Sequence, residues 1–181
     1  MKRKGLLFYI LLLLISIPVS AGWQRPVTNY TRHIYKAGNQ NWSIQQHDNG
    51  WIYVANNKGL LEFDGVEWNT YPIHNAKTRA VKVGHDGRIY IGGMEQFGYF
   101  TPNRLGGLEY TCLSDSLSPN VNVGVIWNIL LDGERVYFQS DRRFFYWEEG
   151  IVKKIDYSSE IYTSFILRNK LYITSAEGLL M

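Results

Sequence analysis

The chain has 181 residues, with 19 Lys and Arg against 16 Asp and Glu, one cysteine and 15% aromatic residues. A lone Cys112 excludes an internal disulfide and a Cys-based metal cluster, and the four histidines (His33, His47, His74, His85) lack metal-ligand spacing such as HExxH, so each reads as a surface loop residue. The formal charge of +3 falls to zero once Lys2, Arg3 and Lys4 are set aside with the N-terminal leader, which leaves nothing to draw a nucleic acid.

Residues 1–21 read as a secretory signal peptide. Lys2-Arg3-Lys4 form a positive start, Leu6 to Val19 is an apolar run, and Val19-Ser20-Ala21 places small residues at the cleavage position. As a helix that run rises only about 21 Å, short of the roughly 30 Å bilayer core, so a cleaved leader fits better than a membrane anchor. The mature chain is then expected to start near Gly22 and to be exported. Residues 22–38 form an N-terminal segment. Its "VTNYTRHIY" has β character and suits an edge strand that closes a ring of sheets.

From residue 39 onward, short apolar–polar alternations are separated by Gly, Asn and Asp, which reads as all-β. An aliphatic–tyrosine anchor recurs at Ile52-Tyr53, Ile89-Tyr90, Val136-Tyr137 and Leu171-Tyr172, with spacings of 37, 47 and 35 residues. Ten residues after the anchor tyrosine comes Phe63, Phe100 or Trp147, and seven after it comes Leu60, Phe97, Phe144 or Leu179. A repeat of this length built only from short strands predicts four-stranded propeller blades. They fall at about 39–73, 77–114, 122–157 and 161–181.

In the first blade the pattern predicts strands over Trp42–Gln46, Trp51–Ala55, Gly59–Phe63 and Val66–Tyr71, with Asp64-Gly65 as a hairpin turn. The second blade runs from about Arg79 to Leu113 and the third from about Val125 to Tyr157. The fourth holds two strands and the start of a third, because "EGLLM" at 177–181 echoes "NNKGLLEFDG" at 56–65. The chain therefore reads as an incomplete β-propeller of about three and a half blades. Closed propellers have four to eight blades, so the expectation is a fragment of a longer product or a chain completed by a partner.

The stretch "GLLEFDGVEW" at 59–68, preceded by "NWSIQQHDNGWIYVAN" at 41–56, closely resembles the two-component regulator propeller repeat. The resemblance covers residues 37 to 181. It departs from the family pattern at "EQFGYFTPN" in the second blade and "RRFFYWEEG" in the third. It implies a periplasmic sensor propeller, followed in full-length members by a triple-tyrosine β domain, one transmembrane helix and a helix-turn-helix or kinase output module. None of those downstream parts is encoded in these residues. A tie to the membrane and any regulatory output are implied by the resemblance only.

No catalytic constellation stands out. GxSxG, HExxH and paired carboxylates at a recognisable spacing are all absent, and Glu148 and Glu149, adjacent on a strand, point to opposite faces. The expectation is a non-enzyme without cofactor or metal. One propeller face collects the starts of the first strands and the turns between second and third strands. In this sequence those positions hold Trp42, Arg79 and Trp127, then Asn56, Asn57 and Lys58, Met94 to Gln96, and Asp141 to Arg143. Aromatic plates beside amide and guanidinium donors suit an oligosaccharide or another polar small ligand, with Arg142-Arg143 and Trp127 the strongest candidates. The plainer alternative is that the tryptophans pack between blades and the loops are merely hydrated. As to function, a sensing module that binds a glycan-derived ligand or mediates homodimer contacts stands against two alternatives. These are a fragment of a propeller lyase or glycosidase, and a scaffold with no small ligand.

Overall fold

The computed structural model describes residues 26–74 and 77–181; the leader read at 1–21 lies outside them. Four antiparallel sheets fan around a common axis, each in plain meander order. The first holds β1 (Asn41–Gln46), β2 (Ile52–Asn56), β3 (Gly59–Phe63) and β4 (Trp68–Tyr71). The second holds β5 (Thr78–Val83), β6 (Ile89–Gly93), β7 (Phe97–Pro102) and β8 (Leu108–Cys112). The third holds β9 (Asn128–Asp132), β10 (Arg135–Gln139), β11 (Arg143–Glu148) and β12 (Ile151–Asp156). The fourth has three strands, β13 (Ile161–Leu167), β14 (Lys170–Ser175) and β15 (Gly178–Leu180). The architecture is an all-β propeller arrangement, with β1, β5, β9 and β13 innermost.

Two strands start later than the alternation predicts, for local reasons. The Asp64 carboxylate accepts the N–H groups of Val66 (2.8 Å) and Glu67 (2.7 Å), which holds 64–67 as a turn and delays β4 to Trp68. The third inner strand begins at Asn128 rather than Val125, because Val125 is spent on a bridge to Met94 of the preceding blade.

The repeat spacing is a packing code. The residues facing the following blade are Tyr53 and Leu60 in blade 1, Tyr90 and Phe97 in blade 2, and Tyr137 and Phe144 in blade 3, all buried. Between blades 2 and 3 the ring of Phe97 lies 4.5 Å from Phe138 and 5.1 Å from Phe145, centroid to centroid. Interlocked aromatics of this kind bury large apolar area and fix the angle between sheets. The interface between blades 3 and 4 is more polar at its inner end. Ser164 sits at the register of Val81 and Ile129, donates to Gln139, and its carbonyl accepts from Asn128 Nδ2 at 3.0 Å.

The N-terminal segment, expected as a strand that closes a ring, packs on blade 1 in this chain, which holds no last blade for it to join. Residues 26–40 carry no strand; Arg32–Tyr35 form one helical turn (α1), which Lys36 ends in the left-handed region at φ 50°. The turn inserts Tyr35 against Val54 and Leu61, while Tyr30 packs 5.0 Å from Phe63 and 5.5 Å from Trp68. The β-favouring tyrosines thus serve as plugs on the open face of blade 1, and packing overrides local propensity.

Candidate functional site

The site begins with an irregularity of the inner strands. In β1, Asn41 pairs with Asn56 and Ser43 with Ala55, so Trp42 has no partner. In β5, Thr78 pairs with Gly93 and Ala80 with Gly92, which leaves Arg79 out. In β13, Ile161 pairs with Ser175 and Thr163 with Thr174, which leaves out Tyr162. Trp127 precedes β9 directly, and its N–H donates to the Gln139 carbonyl at 2.9 Å. A bulge re-aims the extra side chain out of the strand's alternation. Four blades therefore present Trp42, Arg79, Trp127 and Tyr162 at the starting end of the inner strands.

Three of these four touch. The indoles of Trp42 and Trp127 meet edge to face at 6.3 Å, and the Arg79 guanidinium lies 4.2 Å over the Trp42 ring. Trp42 and Trp127 are each 46% exposed, so they are not the blade-packing core that the plainer reading assigned them to. Asn57 joins them: its Oδ1 accepts from Trp42 Nε1 at 3.0 Å and from Arg79 Nη1 at 2.8 Å. Trp127 Nε1 donates to Asp141 at 2.6 Å. With both indole N–H groups committed, the rings present their faces to solvent rather than their polar edges.

Each member is held by its own local device. Asn56, 0% exposed, donates to the Gly38 carbonyl (2.7 Å) and Asn41 (2.6 Å), and accepts from the N–H groups of Gly38 and Lys58 (both 2.9 Å). It therefore welds the "AGNQNW" approach to the β2–β3 turn and fixes Asn57 beside it. Thr78 Oγ1 donates to the Asn56 carbonyl at 2.6 Å, which anchors the start of β5 and with it Arg79. The connector before Trp127 is clamped by Glu95, whose carboxylate accepts the N–H groups of Val123 (3.0 Å) and Gly124 (3.1 Å). Gly92 completes the clamp: any Cβ there would collide with Ile126. Asp141 also anchors blade 4, its carbonyl accepting the Ile161 N–H at 2.7 Å next to Tyr162.

Of the predicted site residues, Trp42, Arg79, Trp127 and Asn57 converge. Lys58 stands exposed beside them, its backbone engaged by Asn56. Arg142 and Arg143, read as the strongest candidates with Trp127, do not join the network. Arg143 Nε pairs with Asp156 of β12 at 2.9 Å, because the outer strand's carboxylate lies directly across in register. Arg142 is exposed, and its carbonyl accepts from Tyr157. Met94, Glu95 and Gln96, placed on the ligand face by the repeat, belong instead to the connector clamp in the case of Glu95 and Met94. Sequence reasoning did not assign Tyr162, the structural part of Asn56, or Gln40, whose Oε1 accepts from Asn57 Nδ2; the signal for Tyr162 is its offset of ten residues before an anchor tyrosine, shared with Trp127.

Burial lowers the pKa of the Arg79 guanidinium from its usual value, yet arginine stays cationic in proteins. The mouth is thus a cation set among aromatic faces. The opposite mouth of the channel holds the larger concavity, about 830 Å³, lined by the ends of β1, β5, β9 and β13 with Gln45, His47, Lys82 and Asp86 among its polar groups. No Trp, Tyr or Phe lines it, and much of its polarity is spent internally. Gln45 and Gln46 donate to the carbonyls of Ile44 and Gly50, and Asp86 accepts from Tyr90 and Arg88. Among the described residues there is no cluster of His, Cys, Asp and Glu suited to a metal, and no helix is long and apolar enough to cross a membrane.

Similarity to known proteins lies in the fold. No family model matches the sequence, and no curated protein matches it. Among solved structures, the extracellular domain of the one-component system BT4673 from B. thetaiotaomicron superposes with a TM-score of 0.58 at 13% identity, over 77% of this chain and 20% of that one. Virginiamycin B lyase from Staphylococcus aureus gives 0.58 at 14%, over 74% and 48%. YCF48 from Cyanidioschyzon merolae gives 0.58 at 10%, over 79% and 50%. The chain thus spans between a fifth and a half of these proteins, and at such identities the likeness shows a shared β-propeller fold.

Proposed function

We propose that the chain is the ligand-sensing propeller module of an exported, membrane-linked signal-transduction or transcription regulator, and that its ligand is a glycan-derived oligosaccharide. The observation that carries this reading is the convergence of Trp42, Arg79 and Trp127 at one channel mouth, with indole faces exposed and indole N–H groups already tied. Such faces cover the apolar CH surface of a sugar ring, while Arg79, Asn57 and Lys58 supply donors for hydroxyl or carboxylate oxygens. The extracellular setting of the BT4673 domain agrees with the export read from the leader, and the periplasm is the location that the resemblance implies. The resemblance of residues 37–181 to regulator propeller repeats agrees with a sensing role, in which a pair of such modules forms a homodimer.

The module acts by binding rather than catalysis. The carboxylates at this mouth have structural employment: Asp141 accepts from Trp127, and Glu95 holds the connector. The test is a thermal-shift and calorimetric screen of the full chain against neutral and acidic oligosaccharides, repeated with Trp127→Ala. Binding that weakens about tenfold in the variant supports the proposal. Turnover of an oligosaccharide, or binding indifferent to Trp127, contradicts it.

A further inference from the structure

Among the described residues four arginines are half-buried, Arg79, Arg88, Arg135 and Arg143, and of these Arg79 alone has no carboxylate. Arg88, Arg135 and Arg143 each rest on one, Asp86, Glu148 and Asp156 respectively. Among the described residues no such ion pair forms at Arg79; its recorded acceptors are neutral, the Asn57 amide oxygen (2.8 Å) and the Thr78 carbonyl (3.0 Å), both taken by Nη1. Its Nε is screened from solvent and has no acceptor at all. A guanidinium carries five N–H donors in a rigid planar fork; with Nη1 engaged twice and Nε shielded, the two N–H groups of Nη2 are the ones left for a ligand. The fork is nevertheless fixed, with Trp42 as a plate 4.2 Å below it, Asn57 at one edge and the bulge of β5 behind it. Leaving a partly buried cation without a counter-ion is costly. Holding it in one orientation at a solvent-facing mouth prepares it for an anion that arrives with the ligand.

We propose that Arg79 is an anion subsite, and that the ligand class of this mouth is an acidic oligosaccharide whose uronate carboxylate seats on the Arg79 fork while a sugar ring covers the exposed indoles. This rests on the reading of the mouth as a glycan platform and narrows it. Lys58 and the exposed Arg142 add positive charge around the rim, and the Asp141 carboxylate that would repel an acid is turned to Trp127. Trp42 and Asn57 act as positioning residues, because they set the plane and edge of the fork.

The experiment compares trigalacturonate with its methyl ester, two probes alike in shape but for the charge, by isothermal titration calorimetry on the full chain. The acid is expected to bind about tenfold tighter than the ester, in keeping with charge-assisted hydrogen bonds, and to lose that advantage as salt is raised. Arg79→Gln should bring acid and ester to equal affinity without abolishing the ester's binding, and Arg79→Lys should restore only part of the preference. Equal affinities on the unmodified chain overturn the subsite while leaving the platform standing. Binding of neither probe, nor of a neutral oligosaccharide, overturns the platform and the subsite together. If Arg79→Gln does not fold, the acid-to-ester ratio and its salt dependence on the unmodified chain still decide.

Discussion

The two mouths of the channel are built from the same four strands and differ in where each blade spends its irregularities. At the starting end, bulges and a tight connector turn Trp42, Arg79, Trp127 and Tyr162 out of the sheet. At the far end the strands run regularly into Asp-, Asn- and Gly-bearing turns whose polar groups satisfy one another: Asn49 accepts the Trp51 N–H at 3.0 Å, and Asp86 accepts the Arg88 N–H at 3.1 Å. The cavity of about 830 Å³ lies at the far mouth, where Gln45, Gln46 and Asp86 are engaged by neighbours while Lys82 and His85 remain without a side-chain partner among the described residues. The aromatic mouth has exposed ring faces and a guanidinium with no carboxylate among those residues. In the proposed reading, recognition follows those ring faces and that cation rather than volume.

Removing Asn56 should break this contrast most severely. Asn56→Ala takes the partner from the N–H groups of Gly38 and Lys58 and from the Gly38 carbonyl in a part-buried turn, at a cost of about 2–3 kcal/mol. It should also release Asn57 and hence Trp42 and Arg79. Urea unfolding followed by fluorescence should show the lowered midpoint with an unchanged slope. Next comes Gly92→Ala, which forces Ile126 and the connector outward and costs about 2 kcal/mol by overpacking; differential scanning calorimetry should show a lowered Tm. Trp127→Ala should cost about 1–2 kcal/mol, less than a fully buried tryptophan would, because the ring is half exposed, and its larger effect should appear in ligand affinity.

The smallest effect belongs to the far mouth. Burial pushes the Asp86 carboxyl upward, but hydrogen bonds from Tyr90 and from the Arg88 backbone and side chain outweigh it, so its pKa lies below the usual carboxylate value. A depressed folded-state pKa gives stability that is present above the unfolded pKa of about 3.9 and lost as pH falls through the folded value. Asp86→Asn should therefore flatten the loss of stability below about pH 4, by only a few tenths of a kcal/mol given the partial exposure of the pair. It should leave ligand binding at the aromatic mouth unchanged. A change there would blur the distinction between the two mouths.

The blades were legible because packing repeats. Tyr53, Tyr90 and Tyr137, with Leu60, Phe97 and Phe144, recur in sequence for the reason that each fills the same gap between sheets. Trp42, Arg79 and Trp127 could be placed on one face from that register alone. What the register could not supply was bulge geometry and side-chain pairing. Nothing local distinguishes Arg143, whose carboxylate lies across the sheet thirteen residues on, from Arg79, which has none. Tyr162 escaped because its blade lacks the tryptophan that marks the position in blades 1 and 3. The packing of Tyr30 and Tyr35 on blade 1 was not legible, because β propensity is silent about which surface a tyrosine covers.

The most direct test of the account is a ¹H–¹⁵N NMR titration of the tryptophan indole N–H signals with trigalacturonate, assigned by single Trp→Phe variants. The account predicts that the Trp42 and Trp127 signals move together and saturate, while those of Trp51, Trp68 and Trp147 stay in place. Movement confined to Trp51, Trp68 or Trp147, or no movement at saturating acid, would contradict it.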